Sequence, residues 1–326
     1  EMLRSLVGSE MCIRDSSSTM KKFYYFASAV LLALCTSCGD DNDDPQDPGN
    51  NPGGNGSGPT PPQEYVEEPE NDPSITHDFD ITDPNLLFYD DFNQKSWIPR
   101  KSRWELCPQG SPAWAFYLSE SYNQAYVDTD HGELVLSCEK SGSSYATGGV
   151  QMKADKAFKY GKVEVKARFA LSAKGGWPAI WMMPSEPIWS GWPQCGEIDI
   201  MERLNHDTHV HHVIHTHYTD TFNPGDPNAP NTTTTEIGTE DGWNIYGIEW
   251  TPDKIDFYVN GTKTFTYPRL RQYDDMEGAK QWPFDTKFYL ILNHAGGKGW
   301  PGEGSLVDSE LPAEMRVDWV KVWKLE

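Results

Sequence analysis

Along much of the chain the apolar positions recur at every second residue. GKVEVKARFAL (161–171) puts Val163, Val165, Ala167 and Phe169 on one side, and Lys162, Glu164, Lys166 and Arg168 on the other. Successive side chains of a strand point to opposite faces, so this pattern predicts a half-buried strand. WNIYGIEW (243–250) and KFYLILN (287–293) predict further strands. KIDFYVNGTKTFTY (254–267) predicts a pair joined at Asn260-Gly261, a dipeptide suited to the two left-handed positions of a type I′ hairpin turn. The closing MRVDWVKVWK predicts a strand with Val317 and Trp319 facing away from Arg316, Asp318 and Val320. No long stretch combines helical period with caps. Many short strands between Gly, Pro and Asp turns predict an all-β sandwich or barrel. About 250 residues suit a two-sheet sandwich as one domain, and the lack of an internal repeat disfavours a propeller.

The N-terminal third departs from this pattern. Residues 1–19 carry no targeting pattern and read as a non-native leader. At Met20 a signal peptide begins: MKK, the apolar run FYYFASAVLLALC, then TSC. The run is short for a bilayer span and follows basic residues, as in an exported precursor. LCTSCGDD resembles a bacterial lipobox, which implies lipidation at Cys38, preceded by Thr36 and Ser37, in preference to Cys35. The acidic GDDNDD that follows resembles the surface-export signal of Bacteroidetes lipoproteins. The expected location is thus the outer membrane, exposed at the cell surface, with the lipid as the only membrane contact. Residues 38–75 are rich in Asp, Asn, Gly and Pro and bury too little apolar surface to offset their ordering entropy, so a tether is expected there. The domain is expected to span 76–326.

Charge sharpens this division. The net charge is −22, and between Cys38 and Asn93 there are 15 acids and no Lys or Arg. The acidity belongs mostly to the tether, and it disfavours a nucleic-acid partner, because phosphates demand Lys and Arg. The 13 tryptophans, 15 tyrosines and 13 phenylalanines suit a large β core, and flat rings also suit the apolar faces of sugars. Outside the N-terminal pieces the cysteines are Cys107, Cys138 and Cys195, without metal-like spacing; one disulfide among them stays open. The run His209, His211, His212, His215, His217 invites a zinc reading. Alternation spreads it over roughly 26 Å, too far for one ion, so no metal site is expected from it.

The candidate chemistry lies in CGEIDIMERLN (195–205). Ile198 and Ile200 alternate with Glu197 and Asp199, yet the third acid, Glu202, arrives one residue late. A β-bulge near Ile200–Met201 would return Glu202 to the face of the other two and send Met201 into the core. Adjacent carboxylates repel, so at least one tends to keep its proton. Cleavage of a glycosidic bond needs such a set, one carboxylate ionised and one protonated.

With its neighbours, this segment resembles glycoside hydrolase family 16, in the laminarinase-like branch with a bulged Glu-x-Asp-x-x-Glu signature. GGWPAIWMMP, FKYGKVEVKARF, FYLILNHAGGKGWPG and RVDWVKVWK match in order and spacing over about 88–326. The resemblance implies a β-jelly roll of two curved antiparallel sheets with a substrate cleft on the concave side. It implies an endo-acting, retaining β-glycanase with Glu197 as nucleophile, Glu202 as acid/base and Asp199 assisting. No cofactor is required. Trp192 matches a sugar-stacking tryptophan, and His215 sits where relatives carry a cleft histidine. Trp181 and Trp189 are further cleft candidates, a core position suiting Trp181 equally. Trp300 lies on a loop expected to reach the cleft or pack its rim. Asp318 resembles a ligand for a structural calcium on the convex side. Where laminarinases often carry SGR this chain has TGG, so Gly149 replaces a substrate-contacting arginine and is expected to leave empty volume. The expected partner is a β-1,3/1,4-glucan or a galactose- and GlcNAc-containing glycan such as mucin O-glycan, bound by a monomer. A non-catalytic glycan-binding lipoprotein and a transglycosylase on the same fold are the alternatives.

Overall fold

The computed structural model describes Tyr65 and residues 67–69, 72–237 and 242–325. The leader, the signal peptide, Cys38 and most of the tether lie outside the described residues. Sixteen strands follow in chain order. They are β1 (Leu86–Asp90), β2 (Trp104–Leu106), β3 (Ala125–Asp128), β4 (Glu133–Ser141), β5 (Ser144–Thr147), β6 (Gly149–Met152), β7 (Gly161–Leu171) and β8 (Gly176–Pro184). The second half holds β9 (Glu197–Glu202), β10 (His209–His215), β11 (Thr232–Glu236), β12 (Asn244–Trp250), β13 (Lys254–Val259), β14 (Thr262–Pro268), β15 (Phe288–Gly296) and β16 (Ala313–Trp323). Only single helical turns connect them, and among the described residues no helix is long and apolar enough to cross a membrane.

All pairings between these strands are antiparallel, and they build two sheets. One has nine strands in the order β14-β13-β12-β7-β16-β4-β3, with β1 added on β16 and β5 on β4. The other has seven, β11-β10-β9-β8-β15-β6-β2. This is the two-sheet sandwich expected from the alternation, in the jelly-roll form that the resemblance implied. Between the sheets Val163, Val165, Ala167 and Phe169 of β7 meet Ile180, Met182, Ile198, Ile200, Met201, Leu290 and Leu292 from the facing sheet. Each such side chain, withdrawn from water, contributes about 1.5–3 kcal/mol before conformational entropy is charged against it. The Asn260-Gly261 turn has φ of 50° and 76°, the left-handed pair that a type I′ hairpin needs.

Two details differ from the sequence expectation. In β16 the register against β7 slips between Val317 and Trp319, so Val320 turns inward and is fully buried instead of sharing the side of Arg316. The domain also reaches further back than residue 76. The Tyr65 hydroxyl accepts from the Lys101 amide, Glu67 accepts from the Ser102 amide, and Lys95 pairs with Asp72. The Lys101 ammonium also sits 4.5 Å from the centroid of the Tyr65 ring, a cation on which this acidic segment docks.

Candidate active site

The face of the seven-stranded sheet turned away from the nine-stranded one carries a second cluster, with Trp177, Ala179, Trp181 and Met183 of β8 and Ile291 and Ala295 of β15. β9 crosses the middle of this sheet. Against β8, Trp181 pairs with Asp199 and Ile180 with Met201; against β10, Val213 pairs with Asp199 and His211 with Glu202. Ile200 has no register partner on either side, and that is the bulge. It sends Ile200 and Met201 together into the core and returns Glu202 to the face of Glu197 and Asp199. The opening over that face is lined by Trp114, Trp177, Ala179, Trp181, Glu197, Asp199, Glu202 and Asn293.

The bulge frees a backbone carbonyl, and a buried side chain answers it. His212 points into the core from β10, where its Nδ1–H donates to the Ile200 carbonyl at 2.6 Å. Its Nε2 takes a hydrogen bond from Thr264 of the other sheet at 3.1 Å. Burial holds the ring's pKa down to about 4, so it is neutral.

All three acids are buried, and each has a different surrounding. Glu197 accepts from Trp192 Nε1 at 2.8 Å. Burial raises its pKa, opposed by the positive His215 and by hydrogen bonds from Trp192 and Asp199. Asp199 is pushed well above the usual range by burial and by the charges of Glu197 and Glu202. A side-chain hydrogen bond to Glu197 raises it further, while its Oδ2 is buried without a hydrogen bond. Glu202 accepts from Trp177 Nε1 at 2.8 Å. Burial, aided by the Glu197 charge, still drives it up to about 7. His215 lies 3.7 Å from Asp199 and donates to Asp220 at 2.8 Å, and its ring packs 5.3 Å from Trp192. Burial disfavours its charge, but Asp220 and the nearby carboxylates outweigh that and raise it to about 9. The result is one carboxylate held beside a cation and one that keeps a proton near neutrality, on the same face.

The other sequence candidates are distributed as follows. Trp181 floors the opening, with its Nε1 on Asn293 and its ring edge-on to Trp114 at 4.8 Å. Trp189 is half-buried on the loop between β8 and β9 and is not among the side chains lining the opening. Trp300 is 44% exposed and lies 4.5 Å from the His211 ring. Asp318 pairs with Lys166 at 2.7 Å, and among the described residues no metal-sized group of His, Cys, Asp or Glu includes it.

Gly149 corrects another expectation. A Cβ there would lie 3.0 Å from Asn293 Cβ, 3.1 Å from Leu118 Cδ2 and 3.2 Å from Cys107 Sγ. Leu118 and Cys107 crowd the position a Cβ would take, so the space beside Gly149 is not empty. Cys107 and Cys138 are free buried thiols, which excludes any disulfide pairing among these two and Cys195. The histidine run does not act as one group, but Asp207, His209 and His211 do come together, because neighbouring same-face rings lean toward each other. The sequence reading passed over Trp177, Trp114, Asn293 and Asp220, and took His212 only as a member of the histidine run. Trp177 could have been found, since it shares the alternation of Trp181.

Fold and site together define a β-sandwich with a carboxylate-bearing cleft of the glycan-processing kind. Residues 115–321 match Glycosyl hydrolases family 16, and the chain belongs to that family. It is 39% identical over 251 residues to a keratan-sulfate endo-1,4-β-galactosidase from Sphingobacterium multivorum, covering 75% of this chain and 56% of that protein. The chain thus spans little more than half the length of that relative. A β-glucanase from Rhodothermus marinus is 30% identical over 247 residues, covering 73% of this chain and 85% of the relative. Among solved structures, an endo-acting O-glycanase of the human gut microbiota that initiates mucin breakdown superposes with a TM-score of 0.65 and 34% identity, covering 74% of this chain and all of the other.

Proposed function

We propose that this protein is an endo-acting, retaining β-glycanase that cleaves galactose- and GlcNAc-containing glycans in preference to laminarin. The observation that carries the reaction is the bulged strand, which buries three carboxylates on one face in three different protonation environments. In this reading Glu202 protonates the leaving oxygen and Glu197 attacks the anomeric carbon. Water, deprotonated by Glu202, then releases the covalent intermediate. Asp199, protonated, donates to Glu197 and steadies its charge as the proton inventory changes. His215 supplies the compensating positive charge, and Asp220 fixes its orientation. Trp192, Trp181 and the exposed Trp300 offer flat surfaces for sugar rings.

The substrate preference is supported by likeness to proteins named for keratan sulfate and mucin glycans, at 39% and 34% identity, above the 30% of the β-glucanase. It is also supported by Gly149, where Leu118 and Cys107 occupy the place in which laminarinases often carry an arginine. The test is incubation of the purified full chain with keratan sulfate, mucin O-glycans, mixed-linkage β-glucan and laminarin, followed by sizing of the products. Internal cuts in the first two support the reading. Tight binding of any of them without cleavage would make the protein a glycan-binding lipoprotein instead, and products longer than the substrate would make it a transglycosylase. In the same reading the protein is lipidated at Cys38 and displayed as a monomer on the outer membrane. The export segment 20–37 and the acidic tether support this part.

A further inference from the structure

The β9–β10 connection brings together three metal-type ligands that the glycanase reading does not use. His209 and His211 are two apart on β10 and share a face, with ring centroids 5.1 Å apart. Asp207 lies two residues before His209, its Oδ2 3.7 Å from His209 Nε2. One ligand atom from each of the three falls within 4.8 Å of the others, all on partly buried side chains. The group is held by its backbone. His209 and His211 pair in register with Glu236 and Thr234 of β11, and Arg203, itself buried, donates from Nε to the Asp207 carbonyl at 2.7 Å.

We propose that Asp207, His209 and His211 form a binding site for a divalent transition-metal ion at the edge of the cleft. Two imidazoles and one carboxylate are the donor set that zinc takes readily and that calcium and magnesium do not favour. Three protein ligands leave a coordination position for water or a ligand oxygen, as in open zinc sites. His211 also packs on the ring of Trp300, so an ion there would tie the Trp300 loop to β10.

The test is isothermal titration of zinc chloride into untagged, EDTA-treated full-length protein, beside Asp207→Asn, His209→Ala, His211→Ala and His215→Ala. The expected result is one saturable site of roughly micromolar affinity or better. Affinity should fall about tenfold or more in each of the first three variants and stay unchanged in His215→Ala. Cobalt(II) should give visible d–d bands in the wild type that the first three variants lose. Melting curves in EDTA report whether each variant is folded, and Asp207→Asn preserves side-chain shape if an alanine variant unfolds. Absence of saturable binding would overturn the proposal. So would binding that survives the first three variants and disappears in His215→Ala, because the ion would then sit on Glu197, Asp199 and His215, which form the second such group.

Discussion

A carboxyl group serves as a general acid near neutral pH only if its surroundings resist ionisation. Glu202 meets that condition through burial, which outweighs the Trp177 hydrogen bond and lifts its pKa to about 7. Glu197 is just as buried but faces the His215 cation and accepts from Trp192, so its ionised form is better supported. This asymmetry supports the division of roles proposed above. Glu202→Gln should lower turnover by roughly 10²–10⁴-fold, the worth of a positioned proton donor. Glu197→Gln should cost at least as much, since no covalent intermediate can form. Melting curves should show both variants folded, and near-normal turnover in either would remove its assigned role. The pH dependence has a definite sign. An acid must hold its proton, so kcat/KM should fall as pH rises through about 7 in the wild type. Stability follows the same group. The folded state binds the Glu202 proton more tightly than the unfolded chain, so between the ordinary glutamate pKa of 4.5 and about 7 stability falls as pH rises. Glu202→Gln removes that loss, so its melting temperature should gain on the wild type between about pH 5 and about pH 8. A constant difference across that range would contradict the shift.

At the scale of the element, the bulge in β9 decides which face carries all three acids. It was legible in the sequence because acids mark one face and isoleucines the other, so a one-residue slip shows as Glu202 out of step. The comparable slip in β16 was not legible. Trp319 and Val320 are both apolar, and nothing in the pattern says which turns inward. Of the partners of the acids, Trp192 and His215 were reached through the family resemblance, and Trp177 was legible because it shares a strand period with Trp181. Trp114 comes from a short turn far away in sequence, and Asp220 from a helical turn after β10; only tertiary packing brings them in. His212 was hidden for a related reason, since it alternates away from the other histidines toward the core. Its bond to the Ile200 carbonyl predicts a structural and a kinetic effect together. His212→Phe keeps a buried ring but leaves that carbonyl unpaired, at about 1–3 kcal/mol. The bulge would relax and displace Glu202, so kcat should fall about tenfold or more, because small misplacements of a reacting group are costly. His212→Asn, which retains a donor, should recover most of it. Equal kcat in the wild type and His212→Phe would mean that the bulge holds without its buried partner.

At the scale of the whole molecule, two claims meet: where the protein sits and which glycan it reaches. If Cys38 carries a lipid, membrane-extracted protein should show diacylglycerol at that residue by mass spectrometry, and Cys38→Ala should move to the soluble fraction. Full membrane partitioning of the variant would sink the anchor. The substrate claim rests on the shape of the cleft floor. Sites built around a specific hydrogen bond discriminate steeply when that bond cannot form, by roughly 10⁴-fold in strong cases. With Gly149 against Asn293, Leu118 and Cys107, this chain offers no guanidinium at the position, and a side chain there would press on all three neighbours. A laminarin-binding arrangement that needs an arginine side chain at this position is therefore not available to it. The deciding measurement is kcat/KM on keratan sulfate and mucin O-glycans against laminarin and mixed-linkage glucan. The expected order puts the galactose- and GlcNAc-containing glycans first by about tenfold or more. Laminarin coming out best would show that another group supplies what the arginine does elsewhere. Gly149→Arg separates the two cases further. With a Cβ forced to within 3.0–3.2 Å of three neighbours, it should lower the melting temperature and fail to gain laminarin activity, whereas a stable variant with new laminarin activity would mean the floor can open.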